Sequence, residues 1–375
     1  MDNLYLKELN LVNFKSYTNL NIELSPKLNC FVGDNGVGKT NLFDSIYYLS
    51  FCKSFFHNQD VAHIHHGKLF FSIRGKFQIA DREDQILCSV KKDRKKRFVR
   101  NDKTYQRLAD HIGLIPLVMV SPSDSTLILD GSEERRKYMN GVIAQYDRQY
   151  LDDIIHYGKA VQQRNRLLKD FAKNHSFDEE MLAVWDHKMV DLGNRIFSAR
   201  KRFIQDLVPV FQHYYQIISG GEEQVHLEYQ SHLTSGDFTD LLRDTREKDR
   251  AVQYSTTGVH RDDLKLLLAG HPIKYQGSQG QQKSFLVALK LAQYDFLKEI
   301  VSVHPLILFD DLFDKLDEKR VTKLVQLVAN DHFGQIFITD KNLDHLKKIL
   351  TGIPVSARVF VISGGEAVVT LTGNV

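Results

Sequence analysis

Gly33-Asp34-Asn35-Gly36-Val37-Gly38-Lys39-Thr40 decides how the rest of this chain is read. The octapeptide fulfils the pattern Gly-x-x-x-x-Gly-Lys-Thr/Ser, and its context agrees, with the strand-like run Leu28 to Val32 ahead of it and the helix-like run Asn41 to Phe51 behind. Glycines let successive backbone N–H groups converge into a concave nest at a helix N-terminus, where the helix dipole also favours phosphate. The loop therefore predicts a nucleotide site in which Gly33, Asn35, Gly36 and Gly38 surround the phosphates. Lys39 is expected to reach the β- and γ-phosphates, and the Thr40 hydroxyl to sit on Mg2+. ATP and Mg2+ are the predicted cofactors.

Two more elements qualify this loop. Far downstream, Pro305-Leu306-Ile307-Leu308-Phe309-Asp310-Asp311 reads as a buried strand ending in paired carboxylates. Asp310 is placed to bind magnesium directly or through water, as in other P-loop proteins, and Asp311 to position and polarise an attacking water. Such distance between loop and acids implies one sheet interrupted by an insertion. Ser278-Gln279-Gly280-Gln281-Gln282, just before the helix-like run Lys283 to Ile300, offers a second anion-binding helix terminus through Ser278, Gly280 and Gln281. A head that already has its phosphate loop uses a second one chiefly to serve the ATP of a neighbouring molecule. That is the logic of ABC-type dimers, and a P-loop kinase has no role for the turn. The fold class read here is α/β, an ABC-type P-loop ATPase head with an inserted helical arm. A transporter's nucleotide-binding subunit is the alternative, but it predicts a short path between Lys39 and Ser278.

The insertion is helical. From Ile143 the apolar positions Tyr146, Tyr150, Ile154, Tyr157 and Val161 keep the spacing of one helix face, and a longer stripe runs from Trp185 through Met189, Ile196, Phe203 and Tyr214 to Ile217. Joined by the polar stretch 170–178, the two predict an antiparallel arm. Period-two alternation predicts strands at Leu4 to Leu6 and Leu20 to Leu24, and residues 69–107 read as an antiparallel meander. Buried strands are expected at 306–309 and 335–339 with a helix over 319–329. The predicted domains are 1–130 and 245–375 for the two parts of the head and 131–244 for the arm.

With 375 residues and 42% apolar content, the chain can bury a real core. Its net charge of +3 is too small to identify an anionic partner, so the local clusters matter. The densest comprises Lys91, Lys92, Arg94, Lys95, Lys96 and Arg97, a surface suited to salt-sensitive, sequence-independent contact with DNA phosphates. Only Phe98 and Tyr105 interleave with these charges, so duplex backbone is a better target than stacked single-stranded bases. His63, His65 and His66 lack matching acidic or cysteine ligands and read as a solvated loop. Three widely spaced cysteines have neither disulfide nor zinc spacing, which suits a reducing cytoplasm. No signal peptide is read at Met1-Asp2-Asn3, and no apolar run approaches the ~18 residues of a spanning helix; the expected location is cytoplasmic, away from membranes.

Beyond these motifs, the chain resembles the RecF family of DNA repair proteins, relatives of SMC-type and ABC-type ATPases. The resemblance covers nearly the whole chain. It rests on Asn13-Phe14-Lys15-Ser16-Tyr17, Lys39-Thr40-Asn41-Leu42, Glu134-Arg135-Arg136, Gln163-Arg164-Asn165, Val184-Trp185-Asp186, Gly258-Val259-His260-Arg261-Asp262-Asp263-Leu264 and Asp314-Lys315-Leu316-Asp317. It implies that Asn41 joins the nucleotide site, that Ser278 is the signature serine, that Asp314 to Asp317 form the D-loop, and that Thr339 lies on the γ-phosphate side. It further implies an ATP-dependent homodimer on double-stranded, gapped DNA, acting with RecR and RecO to promote RecA loading. Two positions depart from the family: Ser54-Phe55-Phe56 lacks the arginine of the usual Ser-Phe-Arg, and Gly258-Val259 replaces Gly-Pro.

Overall fold

The computed structural model describes residues 4–221, 223–311, 323, 332–344, 346 and 356–374. The chain divides into two compact units, one of residues 1–125, 213–222 and 278–375, the other of residues 126–212 and 223–277.

Two sheets and the helix between them build the first unit. Strands β1 (Leu4–Phe14), β2 (Tyr17–Glu23), β4 (Phe70–Ile79), β5 (Arg82–Lys91), β6 (Arg97–Arg100) and β7 (Lys103–Thr104) form an antiparallel sheet in the order β2-β1-β4-β5-β6-β7. Their alternating sequences bury one face, as half-solvated strands require. A second sheet runs β15-β14-β3-β13-β12-β8, from β3 (Leu28–Val32), β8 (Leu117–Val120), β12 (Leu306–Phe309), β13 (Ile336–Asp340), β14 (Ser356–Ser363) and β15 (Glu366–Asn374). Here β8, β12, β13, β3 and β14 pair parallel, and only β15 is antiparallel. Every residue of β3, β8 and β12 is buried, which is why β8 and β12 read as continuous apolar runs, while the one polar residue of β3, Asn29, is hydrogen-bonded to Ser25. Helix α1 (Lys39–Phe51) lies between the sheets, with Leu42, Phe43, Ile46 and Leu49 in the common core.

Gln335 joins the two sheets. Its buried amide accepts from the Leu6 N–H at 2.7 Å and donates to the Leu6 and Ser25 carbonyls at 2.8 and 2.7 Å. The register of β1 against β4 slips between Leu6 and Glu8, and Gln335 satisfies main-chain groups beside that bulge.

The second unit carries α2 (Thr126–Leu129), α3 (Ser132–Ile143), α4 (Arg148–Lys173), most of α5 (Glu179–Ser219), α6 (Phe238–Asp244), α7 (Arg246–Val252) and α8 (Ile273–Gln276). A small antiparallel sheet, β11-β10-β9, is formed by β9 (Val225–Gln230), β10 (Asp263–Leu268) and β11 (His271–Pro272). Helices α4 and α5 are antiparallel neighbours, since Arg195 bonds Asp153 while Asp186 bonds Arg164, in reverse order along the two helices. Arg164 is fully buried, held by Asp186 and by Asp249 of α7, each at 2.6 Å. Arg200, also buried, donates to Asp262 at 2.6 Å, and Arg135 pairs with Asp263 at 2.7 Å. Residues 126–130 and 245–277, read with the head in the sequence, are grouped with this unit because β10 pairs with β9 and α7 closes over Arg164. The helix expected over 319–329 lies outside the described residues. Helix α9 (Gln279–Val301) returns the chain to the first unit and begins four positions before the expected run.

Candidate nucleotide-binding site

Parallel pairing places the carboxyl ends of β3, β13, β12 and β8 along one edge, the edge where open α/β sheets bind ligands. The loop 33–38 leaves β3 there. Gly38, the residue before α1, has φ 113°, and a Cβ on it would lie 2.6 Å from Ser16 Oγ. A Cβ on Gly33 would lie 2.6 Å from the Ile362 carbonyl. Both positions therefore require glycine sterically. The β1–β2 turn supports the loop from behind: Tyr17 donates to the Gly38 carbonyl at 2.9 Å, and Asn41 donates to Ser16 at 3.0 Å.

A recess of about 370 Å³ opens at this edge, lined by Asn35, Gly36, Gly38, Lys39, Thr40, Asn41, Asp311 and Lys341. Lys39 is 5% exposed and donates to the Gly33 and Asp34 carbonyls at 2.6 and 3.0 Å. An ammonium has three N–H donors, so one remains for an anion in the recess. Thr40 donates to Asp310 Oδ1 at 3.2 Å, and Thr339 donates to the same oxygen at 2.9 Å. Burial lifts the Asp310 carboxyl from the ordinary aspartate value to about 6; neighbouring Asp311 adds to the rise, while the two hydroxyls and Lys39 oppose it. Asp311 takes a left-handed conformation, φ 44°, and its N–H donates to Thr339 Oγ1 at 2.8 Å.

The donor set of Thr40 and Asp310 fits Mg2+, a hard cation that takes one or two protein oxygens and completes its octahedron with phosphates and water. Among the described residues no cluster of three histidine, cysteine or acidic side chains exists for a cage made of protein alone.

Several residues fall elsewhere than the sequence suggests. Thr339, expected on the terminal-phosphate side, is fully buried, and its hydroxyl bonds Asp310 Oδ1 and the Asp311 N–H. The residue after β13 that reaches the recess is Lys341, which sequence reasoning misses; its only signal is a cation just past a buried strand. Lys96 turns inward, donating to the Cys52 carbonyl at 2.6 Å and pairing with Asp60 at 2.9 Å. Lys91, Lys92, Arg94 and Lys95 around the β5–β6 turn are largely exposed, and Arg97 is exposed on β6. His63 is no solvated loop residue: it is buried against the rings of Phe14, Tyr48 and Phe71. Asp44 of α1, fully buried, holds Lys15 at 2.7 Å and caps the turn at Ser54 and Phe55. Where the family arginine is missing, the Lys15 ammonium lies 5.4 Å from the centre of the Phe56 ring.

Ser278, Gly280 and Gln281 do not line the recess. Ser278 caps α9, accepting from the Gln281 N–H at 3.2 Å, while the Gln281 side chain accepts from the Ser278 N–H at 2.7 Å. Ser278 is exposed, and its hydroxyl hydrogen is not used by the cap. Asp314 to Asp317 lie outside the described residues.

Residues 5–358 match the family model described as the RecF/RecN/SMC N terminal domain. The DNA replication and repair protein RecF of Phocaeicola vulgatus is 50% identical over 363 residues, 96% of this chain and 97% of that one. The protein of the same name from Flavobacterium johnsoniae is 47% identical over 357 residues, 95% and 99% of the two chains. Among solved structures, the recombination mediator protein RecF with ATP, of the RecFOR pathway, superposes with a TM-score of 0.87 at 26% identity, covering 99% of this chain and 100% of that one. The Smc head domain of Pyrococcus furiosus bound to the C-terminal domain of ScpA, 17% identical over 98% and 96% of the chains, gives 0.60 and shares the fold.

Proposed function

The chain belongs to the RecF family of DNA replication and repair proteins, and from that membership we propose that it is an ATPase whose ATP-bound dimer clamps duplex DNA beside a gap. Acting there with RecR and RecO, it promotes RecA loading in the cytoplasm. Residues 1–125 and 278–375 form the ATPase head in this reading and the helical unit is its arm. The observation that carries the chemistry is the 3.2 Å bond from Thr40, directly after the phosphate loop, to Asp310 at the end of a strand far along the chain. The transporter alternative is not favoured, since the relatives named above are replication and repair proteins.

The chain's own groups divide the work. The loop N–H groups and the remaining donor of Lys39 hold the β- and γ-phosphates, stabilising the charge of the transferring phosphoryl group. Thr40 and Asp310 would hold magnesium, which when bound would supply Lewis-acid neutralisation of phosphate charge. Asp311, lining the recess, orients the attacking water and accepts its proton. Ser278 and the N-terminus of α9 meet the γ-phosphate bound by the second copy. The two halves of this reading separate by mutation. Lys39→Met weakens ATP binding, whereas Asp311→Asn retains it and slows turnover by about a hundredfold or more, the usual contribution of a general base. Wild-type turnover in Asp311→Asn, with ATP affinity measured in parallel, removes Asp311 from the mechanism.

A further inference from the structure

We propose that the outer face of the antiparallel sheet is a binding track for an unpaired DNA strand, with Arg74 on its phosphates and Phe70 beneath a base. The assignment rests on the DNA reading above and adds a second surface beside the β5–β6 turn. Alternation divides β4: Phe71, Ile73 and Phe77 are buried in the core, while Phe70, Ser72 and Arg74 stand on the opposite face. Pairing then sets that face in rows. Asn21, Asn10 and Arg74 lie side by side across β2, β1 and β4. Ser72, Ser89 and Arg97 follow across β4, β5 and β6, and Phe70, 43% exposed, is opposite Lys91. The Leu69 carbonyl accepts from the Lys92 N–H at 3.0 Å, which fastens the start of β4 to the basic turn.

Charge and chemistry identify the occupant. Acids on this face are gathered at its far end, where Glu8 is opposite Glu23 and pairs with Lys76 at 3.0 Å, and Glu83 pairs with Lys7 at 2.7 Å. From Asn10 and Arg74 to Lys91 the rows hold none. Asn10, Asn21 and Arg74 line a polar recess of about 250 Å³ together with Gln85 and the Glu8–Lys76 pair. Among the described residues none of the three makes a side-chain hydrogen bond or ion pair, so their donors are open to a ligand's acceptors. A guanidinium grips phosphate in bidentate fashion, amides meet base edges, and an exposed ring takes a base on its face. A duplex hides base faces and pairing edges, so amides and a ring together point to a strand that is not paired. Phe98, next to the cations in the chain, is buried, and it is β4–β5 pairing that brings the Phe70 ring beside them instead.

The test uses the full-length chain with a short labelled oligothymidylate and a mixed-sequence duplex of the same length, titrated by fluorescence anisotropy over a range of salt. Phe70→Ala should bind the single strand about tenfold more weakly, the loss of one stacked base, with its salt slope unchanged. Phe70→Trp should keep wild-type affinity. Arg74→Ala should also weaken the single strand and flatten its log–log salt slope by roughly 0.7, one phosphate fewer, while duplex affinity stays within about twofold of wild type in both alanine variants. Both side chains are exposed, so an unmoved urea midpoint reports that the variants are folded. Unchanged single-strand binding in both overturns the track, and so does an equal loss for strand and duplex, which would make this face part of the duplex site. A wild type that binds duplex but no single strand overturns the track alone; one that binds neither removes the DNA reading with it.

Discussion

Asp310 is 3% exposed and its carboxyl titrates near 6 rather than at the ordinary aspartate value of 3.8, because burial disfavours its charge. For an acid raised in this way, the contribution to folding stability is complete below the unfolded value and is lost as pH rises through about 6. Metal binding has the opposite sign, since the ion requires the carboxylate. The gain in ATP affinity produced by Mg2+ should therefore fall as pH drops through about 6. Asp310→Asn should leave a smaller gain with a weaker pH dependence in that window, the remainder coming from protonation of the nucleotide's own terminal phosphate. Affinity measured with and without Mg2+ across the range decides it; the same pH dependence in the wild type and in Asp310→Asn is the contrary result. At this scale the sequence is a good guide to residue types and a poorer one to directions. Lys39, Thr40, Asp310 and Asp311 are legible because a loop pattern and a strand end fix them locally. Lys341 is not, since which side chain leaves a strand toward the recess depends on register against neighbours far away in sequence. Lys96 reads as part of a basic surface, yet Asp60 and the Cys52 carbonyl draw its ammonium inward.

Helices α4 and α5 and the β4–β5–β6 meander follow their periodicity closely, because each has one buried face. The sheet β9–β10–β11 is hard to read from sequence: its strands are short, and β11 is only two residues long. Without it, residues 245–277 read as part of the head. The motifs that mark the family in this region prove to be structural cross-links. Arg164 with Asp186 and Asp249, and Arg200 with Asp262, are buried ion pairs whose disruption strands uncompensated charge, so their identity is constrained without any catalytic part. The β5–β6 turn is the element where sequence and structure together sharpen a prediction. Lys92, Arg94 and Lys95 are exposed there, so replacing all three with alanine should weaken duplex DNA binding. The log–log salt slope should flatten by roughly 0.9 for each phosphate that is no longer neutralised. Lys96→Ala belongs to a different class, since it leaves Asp60 without its cation and should lower the urea midpoint. An unchanged DNA affinity and salt slope in the triple variant would make the turn a merely soluble hairpin.

At the scale of the whole molecule, the first unit presents the phosphate loop and the capped start of α9, which do not share a recess. Lys39 faces the cavity at the sheet edge, and the exposed Ser278 caps α9 outside it. On the proposed reading, such an arrangement is complete only when a second copy brings its α9 terminus to the first copy's nucleotide, which would make ATP the glue of the dimer. Ser278→Arg should place a bulky side chain where the partner's phosphates must sit while leaving the variant's own loop intact. Nucleotide binding should survive, but ATP-dependent dimerisation and hydrolysis should both fall. Mixing Ser278→Arg with Lys39→Met gives the sharper measurement, because each heterodimer can assemble one site from an intact Lys39 and an intact Ser278. Neither variant alone should hydrolyse ATP at an appreciable rate, and the mixture should regain up to half the activity per site, since one of the two sites is whole. Size-exclusion chromatography with ATP establishes that heterodimers form, and the hydrolysis rate is read on the same sample. If heterodimers form and stay inactive, the two sites fire only together. If Ser278→Arg alone dimerises and hydrolyses ATP as the wild type does, α9 does not reach a neighbour's nucleotide, and the exposed capping serine is only the start of a helix.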